Sequence, residues 1–128
     1  FVHDGVADLA DVHRAAERFN NPIAAIGSLT PATNPASEFR SFSFARVDQP
    51  NIALETVKKA EKSDALVLRL FETANIRADA TIAFGIPVRS VCTVNLMEEG
   101  ASKPLELKDN GVTLSLRPFE IVTLLIET

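Results

Sequence analysis

The sequence predicts an all-β protein, an antiparallel β-sandwich of roughly eight strands with one amino-terminal helix. Three observations predict this fold. Short runs of alternating apolar and polar residues follow one another from residue 42 onward, turn-forming residues separate these runs, and clear helical spacing occurs only once. We therefore expect a helical lead-in segment at residues 1–22 and a β-sandwich domain at residues 23–128, built as one compact unit.

The helix is predicted near the amino terminus. Asp8 is placed as the N-cap residue, and the apolar pattern that follows it stops at Asn20-Asn21-Pro22. The apolar residues at helical spacing are Leu9, Val12, Ala15, Ala16 and Phe19. These features predict a helix of about three turns. Residues 27–37 have no apolar period and are predicted to form a loop.

The first strands are predicted from alternation beyond that loop. Phe42 and Phe44 share one face, and Ile52, Leu54 and Thr56 continue the pattern. The run at residues 65–71 is apolar on both faces except for one arginine, which is typical of a central strand covered on both sides. A cluster of charged residues between these strands is predicted to form a solvated strand end: Lys58, Lys59, Glu61 and Lys62.

The remaining strands include the clearest local prediction, a hairpin. Alternating runs at residues 105–108 and 112–116 flank Asn110-Gly111, a pair that tolerates the positive φ angles of a type I′ turn. Pro118 interrupts the chain before a last strand at residues 121–126. Two further strands are predicted from Ile82 with Phe84, and from Val88, Cys92, Val94 and Leu96.

Length and composition are those of a soluble globular domain. Of the 128 residues, 46% are apolar and 23% charged, which is enough to bury one hydrophobic core. The net charge of −4 and the scattered basic residues argue against nucleic acid, and no apolar run reaches the roughly 20 residues that span a bilayer. Because Cys92 has no second cysteine to pair with, a cytoplasmic location is expected. The first residue, Phe1, indicates a piece of a longer protein.

Hydrolytic enzymes use paired carboxyl groups, and two sets of acidic residues in this sequence are candidates for such a pair. Asp4, Asp8 and Asp11 lie at or near the start of the predicted helix, where the helix dipole stabilises negative charge. Glu98 and Glu99 are adjacent, so they would point to opposite faces of a strand, or both be solvated in a turn. Neither set predicts a catalytic pair.

The other reactive residue types also predict no site. His3 and His13 are the only histidines, and their spacing relative to Cys92 and the acids matches no familiar zinc motif. Cys92 is in phase with Val94 and Leu96, so it is predicted to be a small core residue. Trp and Tyr are absent, and most of the eight phenylalanines are predicted to lie in the core, which disfavours a sugar-binding platform. The sequence therefore predicts no catalytic, cofactor-binding or metal-binding residue in this chain.

Four segments carry a resemblance to a known family. Residues 51–72, NIALETVKKAEKSDALVLRLFE, are similar to the carboxy-terminal region of family 38 α-mannosidases, which have an E-T-V-K-K-A-E-x-S-D stretch leading into an R-L-Y-E-like strand. Residues 94–99 resemble the family's V-N-L-L-E-E, and residues 117–124 its R-P-F-E-I-K-T-L. Upstream, a P-H-x-G-x-W segment followed by a helix and N-x-P is matched by His3, Gly5, Asp8, Val12, Arg14, Ala16 and Asn20-Asn21-Pro22, with Val2 and Ala7 departing from it.

The resemblance, which covers residues 1–22 and 51–126, implies the non-catalytic carboxy-terminal β-sandwich domain of an α-mannosidase, a glycoside hydrolase. Members of this family cleave α-mannosyl linkages with retention, using a carboxylate nucleophile and a zinc ion held in an amino-terminal α/β domain. No catalytic or zinc-binding role is therefore carried over, and zinc is expected only in that other domain. The expected partners are the remainder of the parent enzyme and, through it, a mannose-containing glycan.

Two alternatives stay open at this point. One is an independent carbohydrate-binding or adhesion module of immunoglobulin-like shape, because sandwiches host many unrelated functions. The other is an oligomerisation domain that forms a homo-oligomer, for which a large exposed apolar patch would be the sign.

Overall fold

The structure is a computed structural model that describes residues 5–6, 8–22, 24, 42–99 and 103–128. Within these ranges the chain forms one helix and eight strands. In chain order they are α1 (Leu9–Asn20), β1 (Ala45–Val47), β2 (Ile52–Lys59), β3 (Leu66–Glu72), β4 (Ala78–Phe84), β5 (Ser90–Val94), β6 (Lys103–Pro104), β7 (Gly111–Leu116) and β8 (Ile121–Glu127). The strands form a three-stranded sheet of order β1-β4-β7 and a five-stranded sheet of order β2-β3-β8-β5-β6.

The two sheets pack as an antiparallel sandwich, so the predicted fold class is confirmed. Alternate residues of β4 are buried and exposed along its whole length, as the pleat of a half-buried strand requires. In the other sheet Leu68 lies opposite Leu124, and Val91 lies opposite Ile126. These four residues face β4 and β7 within one hydrophobic core. β3 lies between β2 and β8, which confirms its prediction as an interior strand.

Helix α1 forms where it was predicted. The Asp8 carboxylate accepts a hydrogen bond of 2.8 Å from the Ala10 N–H, which satisfies one of the amides left free at a helix start. Two side chains of the helix make specific contacts with the sandwich in the described residues. The His13 ring meets the Phe71 ring edge-on at 5.2 Å, and Arg14 Nη1 donates to the Pro50 carbonyl over 3.1 Å. The division into residues 1–22 and 23–128 stays a prediction.

The first strand is shorter than predicted. β1 begins at Ala45, and the segment that contains Phe42 and Phe44 is not a strand. The reason is a close crossing: a Cβ atom on Gly85 would lie 2.0 Å from the Ser43 carbonyl oxygen. The Gly85 N–H donates to the Phe44 carbonyl over 2.8 Å. Glycine therefore allows this segment to pass over the end of β4 before it begins to pair.

The predicted hairpin is only partly correct. Its two-residue turn is Asp109-Asn110, with φ angles of +47° and +58°, which is one residue earlier than predicted. Lys108 and Gly111 close this turn by exchanging both backbone hydrogen bonds. Residues 105–107 form no strand, and β7 pairs with β4 instead. The need for glycine at 111 is steric, because a Cβ atom there would lie 2.8 Å from the Ile82 carbonyl oxygen.

Truncation of a core leucine tests the interior position of β3. Leu68 is fully buried, and we expect Leu68→Ala to lower the free energy of unfolding by about 2–5 kcal/mol, because a cavity replaces its contacts. Leu96→Ala, at an exposed loop position, is the matched control and should change it by no more than about 0.5 kcal/mol. Urea denaturation measures both values, and equal losses would contradict the strand assignment.

Candidate functional site

The most organised polar site lies at one end of the sandwich, around Glu72. This residue is the last of β3, and its side chain points between the sheets with 0% of its surface exposed. Three connections meet there: residues 48–51 before β2, 73–77 after β3 and 117–120 before β8. We call these three connections and Glu72 the Glu72 end of the sandwich.

The Glu72 carboxylate receives a hydrogen bond from each of four residues in these connections. Oε1 accepts from Asn51 Nδ2 at 2.9 Å and from the Ala74 N–H at 2.7 Å. Oε2 accepts from the Ile76 N–H at 3.3 Å and from the Phe119 N–H at 3.0 Å. Four bonds fill the acceptor sites of an ionised carboxylate. One side chain therefore ties together three connections that are far apart in sequence.

The environment of Glu72 favours its ionised form. Burial by itself raises the pKa of this carboxyl, because a charge is costly where water is excluded. The hydrogen bonds from Phe119, Asn51, Ala74 and Ile76 act in the opposite direction and together hold the pKa below its ordinary value of 4.5. The buried charge is therefore satisfied by donors and not by a cation.

The surrounding backbone reinforces the same end. The Asn51 carbonyl accepts from the Thr73 N–H at 2.9 Å and from its hydroxyl at 3.0 Å. In the connection before β8, Glu120 Oε2 accepts from the Arg117 N–H at 2.7 Å, and Oε1 from the Arg117 guanidinium at 3.1 Å. This contact lowers the pKa of Glu120. These two bonds join the first and last residues of the connection, and Phe119 between them has a φ of +56°.

The chemistry of this site is anchoring. Glu72 has no free lone pair directed at solvent and no contact with the surface, so it cannot exchange a proton with a bound substrate. Sequence reasoning missed this residue. The available signal was an acidic residue in phase with Leu68 and Leu70 at the end of a strand predicted to be buried on both faces.

A second polar cluster overturns the prediction made for Glu98. The predicted solvated strand end is confirmed for the exposed Lys59, Glu61 and Lys62, whereas Lys58 is half-buried. Glu98 lies in a turn at a φ of +61°, but its side chain is only 6% exposed. It accepts from Lys58 Nζ at 2.7 Å and from the Glu61 N–H at 2.8 Å. Lys58 also pairs with the Glu61 carboxylate at 2.7 Å. The ion pairs raise the pKa of Lys58, with Glu61 the larger cause, and Lys58 is the main cause that lowers the pKa of Glu98.

This cluster joins two loops of the five-stranded sheet. Glu99, next in the chain, is more exposed and pairs with Lys62, while Arg69 Nη2 donates to the Leu96 carbonyl at 3.2 Å. Asn95 organises the turn, since its Oδ1 accepts from the N–H groups of Met97 and Glu99. The run that resembles V-N-L-L-E-E therefore forms a loop after β5 that is held by ion pairs and hydrogen bonds to the end of β2 and the loop that follows it.

The remaining candidates are dispersed. Asp8 caps helix α1, Asp11 pairs with Arg14 on that helix, and His13 packs on Phe71. Asp4 and His3 lie outside the described residues. Across the described ranges, no three His, Cys, Asp or Glu side chains lie close enough to hold a metal ion.

Cys92 was placed wrongly by the sequence pattern. It lies opposite Leu125 on the outer face of the five-stranded sheet and is half-buried, while its neighbour Val91 enters the core. The apolar phase of β5 is therefore shifted by one residue from the prediction. A one-residue shift sends every side chain of a strand to the opposite face.

The phenylalanines are also less buried than predicted. Phe84 is buried in the core, and Phe44 packs against it from a half-buried position. Phe19, Phe42 and Phe119 are exposed, and Phe71 is half-buried beneath helix α1. The prediction that most phenylalanines belong to the core is therefore wrong for the described residues, and Phe1 and Phe39 lie outside them.

The described residues also line an open groove of about 520 Å³ between β7 and the strands β5, β6 and β8. Polar groups dominate its walls: Thr93, Lys103, Thr113, Ser115 and Glu120. None of the described residues that line it is aromatic. A sugar would find hydroxyl and charged groups there but no ring on which to stack. No helix in the described part of the chain is long and apolar enough to cross a membrane.

Comparison with known proteins gives a consistent result. The sequence profile described as "Glycosyl hydrolases family 38 C-terminal beta sandwich domain" matches residues 51–124. "Alpha-mannosidase 2C1" of Homo sapiens is 35% identical across 97% of this chain, and "Alpha-mannosidase 2C1" of Mus musculus is 33% identical across the same share. The chain spans 12% of the length of each relative.

Replacing the anchor carboxylate tests its structural role. In Glu72→Gln the side-chain NH2 group faces backbone N–H groups that donate to the carboxylate in the wild type, so two donors oppose each other. We expect the free energy of unfolding to fall by about 1.5–3 kcal/mol. Glu106→Gln is the matched control, because Glu106 is exposed and pairs only with the exposed Lys108 in the described structure. Chemical denaturation measures both, and an unchanged midpoint for Glu72→Gln would contradict the anchor.

The lowered pKa of Glu72 also predicts a dependence on pH. Its contribution to stability is complete above the ordinary pKa of 4.5 and is lost as the pH falls through the lower pKa of the folded state. The stability difference between wild type and Glu72→Gln should therefore narrow in acid. Denaturation midpoints at neutral pH and well below pH 4.5 measure this, and a difference that stays constant would show that folding does not lower the pKa of Glu72.

The Lys58–Glu98 contact is expected to be energetically coupled. Lys58→Met and Glu98→Gln should each lower the melting temperature, and the double variant should lose less than the sum of the two, because both remove the same interaction. Lys59→Met is the control, since Lys59 is exposed and pairs with the fully exposed Asp64. Additive losses in a thermal-melt cycle would show that Lys58 and Glu98 act independently.

Proposed function

The chain belongs to family 38 of the glycosyl hydrolases, and we propose that it is a non-catalytic carboxy-terminal β-sandwich of an α-mannosidase that completes the enzyme fold and borders its substrate cleft. The observation that carries the proposal is where the family-like segments lie. Asn51, Glu72, Arg117, Phe119 and Glu120 all belong to them, and all take part in holding the Glu72 end together. The residues that identify the family in this chain are engaged in structure.

The carboxylates support a non-catalytic role. Retaining glycosidases use two carboxyl groups about 5–5.5 Å apart, one as nucleophile and one as acid and base. In this chain Glu72 is sealed by four donors, Glu98 is held by Lys58 and Glu61, and Glu120 is held by Arg117. Each of these carboxylates would have to release its partners before it could act on a sugar.

Zinc belongs to the proposal as a ligand of another part of the enzyme. The acidic side chains described above are committed to amides and cations, and His13 is committed to the Phe71 ring. This donor set does not fit a zinc site, which needs three or four convergent N, S or O ligands. We therefore assign zinc and the nucleophile to the catalytic portion of the parent enzyme.

The setting of the proposed enzyme follows from the same relationship. The substrate would be a mannose-containing glycan that reaches the parent enzyme, and the partner of this chain would be the remainder of that polypeptide. A cytoplasmic location is part of the proposal. It is supported by the single, half-buried cysteine, which has no partner within the chain for a disulfide.

Activity assays test the proposal. The parent polypeptide lacking residues 1–128 is expected to lose its turnover of an aryl α-mannoside and to melt at lower temperature, while the chain on its own shows no turnover. Zinc-dependent turnover by the isolated chain would refute the non-catalytic role. Full activity and an unchanged melting temperature after the deletion would refute the role in completing the enzyme.

Calorimetry separates this proposal from an independent sugar-binding module. The polar groove beside β7 is the place where such a module would bind a glycan. Titration of the isolated chain with mannosides is expected to give no measurable heat of binding, because the groove lacks an aromatic platform among its described lining residues. Saturable binding that Ser115→Ala weakens would favour the binding module instead.

A further inference from the structure

The Glu72 end exposes apolar side chains from a rigid backbone. Ile76 and Phe119 donate their N–H groups to the same oxygen, Glu72 Oε2, so their backbones are neighbours. Their side chains are not buried: Ile76 is 53% exposed and Phe119 is 59% exposed. Ile121, two residues further along the chain and opposite Phe71, is also 53% exposed. We call Ile76, Phe119 and Ile121 the apolar tip.

The backbone of Phe119 is held in an unfavourable conformation. A φ of +56° lies in the left-handed region, which bulky residues rarely adopt and which glycine or asparagine fills more easily. Two contacts keep it there: the Phe119 N–H bond to Glu72, and the Arg117–Glu120 contacts that close the same turn. The conformation holds an aromatic ring out toward solvent, and none of these contacts depends on that ring. Maintained strain of this kind is concentrated at functional sites.

The edge of the apolar tip carries charges of both signs, because Glu120 and the exposed Asp48 of the same end stand against two arginines. Arg77 follows Ile76 and is exposed, and Arg117 lies in the same turn as Phe119 with an exposed side chain. Glu120 neutralises part of the Arg117 charge, and Arg77 acts on Glu120 through space. An exposed phenylalanine and arginines at one end of a domain are residue types that protein interfaces favour.

We propose that the apolar tip docks into an apolar recess on the catalytic portion of the same polypeptide. This inference rests on the proposed function. The chain matches 12% of the length of its relatives, so a partner surface of far larger size lies within one polypeptide. Tethered docking of this kind needs only a small contact, because the linkage supplies a high effective concentration. Phe119 would be the residue that enters the recess.

The anchor and the interface then have one explanation. Glu72 fixes the three connections in the docked conformation before contact, so docking orders few additional groups. Preorganisation of this kind strengthens association by lowering its entropic cost. Helix α1 contacts the same end through Arg14 and Pro50, which places the lead-in segment beside the proposed interface.

Hydroxyl-radical footprinting of the full parent polypeptide tests the docking. Phe42 is the matched control, because it is 69% exposed and belongs to a different part of the sandwich from Phe119. We expect oxidation of Phe119 to be several-fold slower than oxidation of Phe42, and Ile76 to be protected with it. A Phe119→Ser variant should raise the oxidation of Ile76 several-fold, while Phe42→Ser leaves it unchanged.

Each outcome decides a separate point. Oxidation of Phe119 at the rate of Phe42 overturns the docking, and protection that appears only at high protein concentration assigns the surface to a second copy and also overturns it. If deletion of residues 1–128 abolishes mannosidase activity while Phe119 reacts freely, the proposed function stands and only the docking fails. If the deleted enzyme keeps full activity and stability, the proposed function fails irrespective of the footprint.

Discussion

The buried charge of Glu72 must be satisfied by hydrogen-bond donors, and the structure of one end of the molecule depends on this constraint. A carboxylate placed between two sheets would be strongly destabilising if it were left without donors. The chain supplies them from three connections, through three backbone N–H groups and one asparagine amide. Because the donors are mostly backbone, the paths of the connections are fixed while their side chains stay free to vary.

The segments that identify the family acquire a physical meaning in this arrangement. Asn51 and Glu72 open and close the first long segment, and they bond to each other across 2.9 Å. The R-P-F-E run supplies the Phe119 N–H and the Arg117–Glu120 contact, while Asn95 and Glu98 clamp a loop at the opposite side of the five-stranded sheet. Apolar core positions tolerate exchange among similar side chains, whereas a buried polar network requires specific groups.

The sequence was sufficient for the general fold and insufficient for the connections. Alternation located β2, β7 and β8, a continuous apolar run located β3, and the capping pattern of Asp8 located helix α1, because these signals arise from residues close in the chain. The errors have a common origin in tertiary contacts. The turn lies at Asp109-Asn110, one residue before the predicted position, because Gly111 packs closely against the Ile82 carbonyl. Strand β1 is shorter than predicted because the segment before it crosses Gly85. The roles of Glu72 and Glu98 depend on partners up to 47 residues away, so local patterns could not reveal them.

The order of strands in the larger sheet has a consequence for how the chain acquires its structure. β8 lies between β3 and β5, although it follows both of them in sequence. During synthesis on the ribosome, β3 and β5 therefore emerge before β8, and each keeps one edge unpaired until β8 inserts between them. Pairing between strands so distant in sequence slows folding, and exposed edges favour association between nascent chains. Chaperone protection during that interval would matter more for this domain than for a sandwich whose neighbouring strands are consecutive.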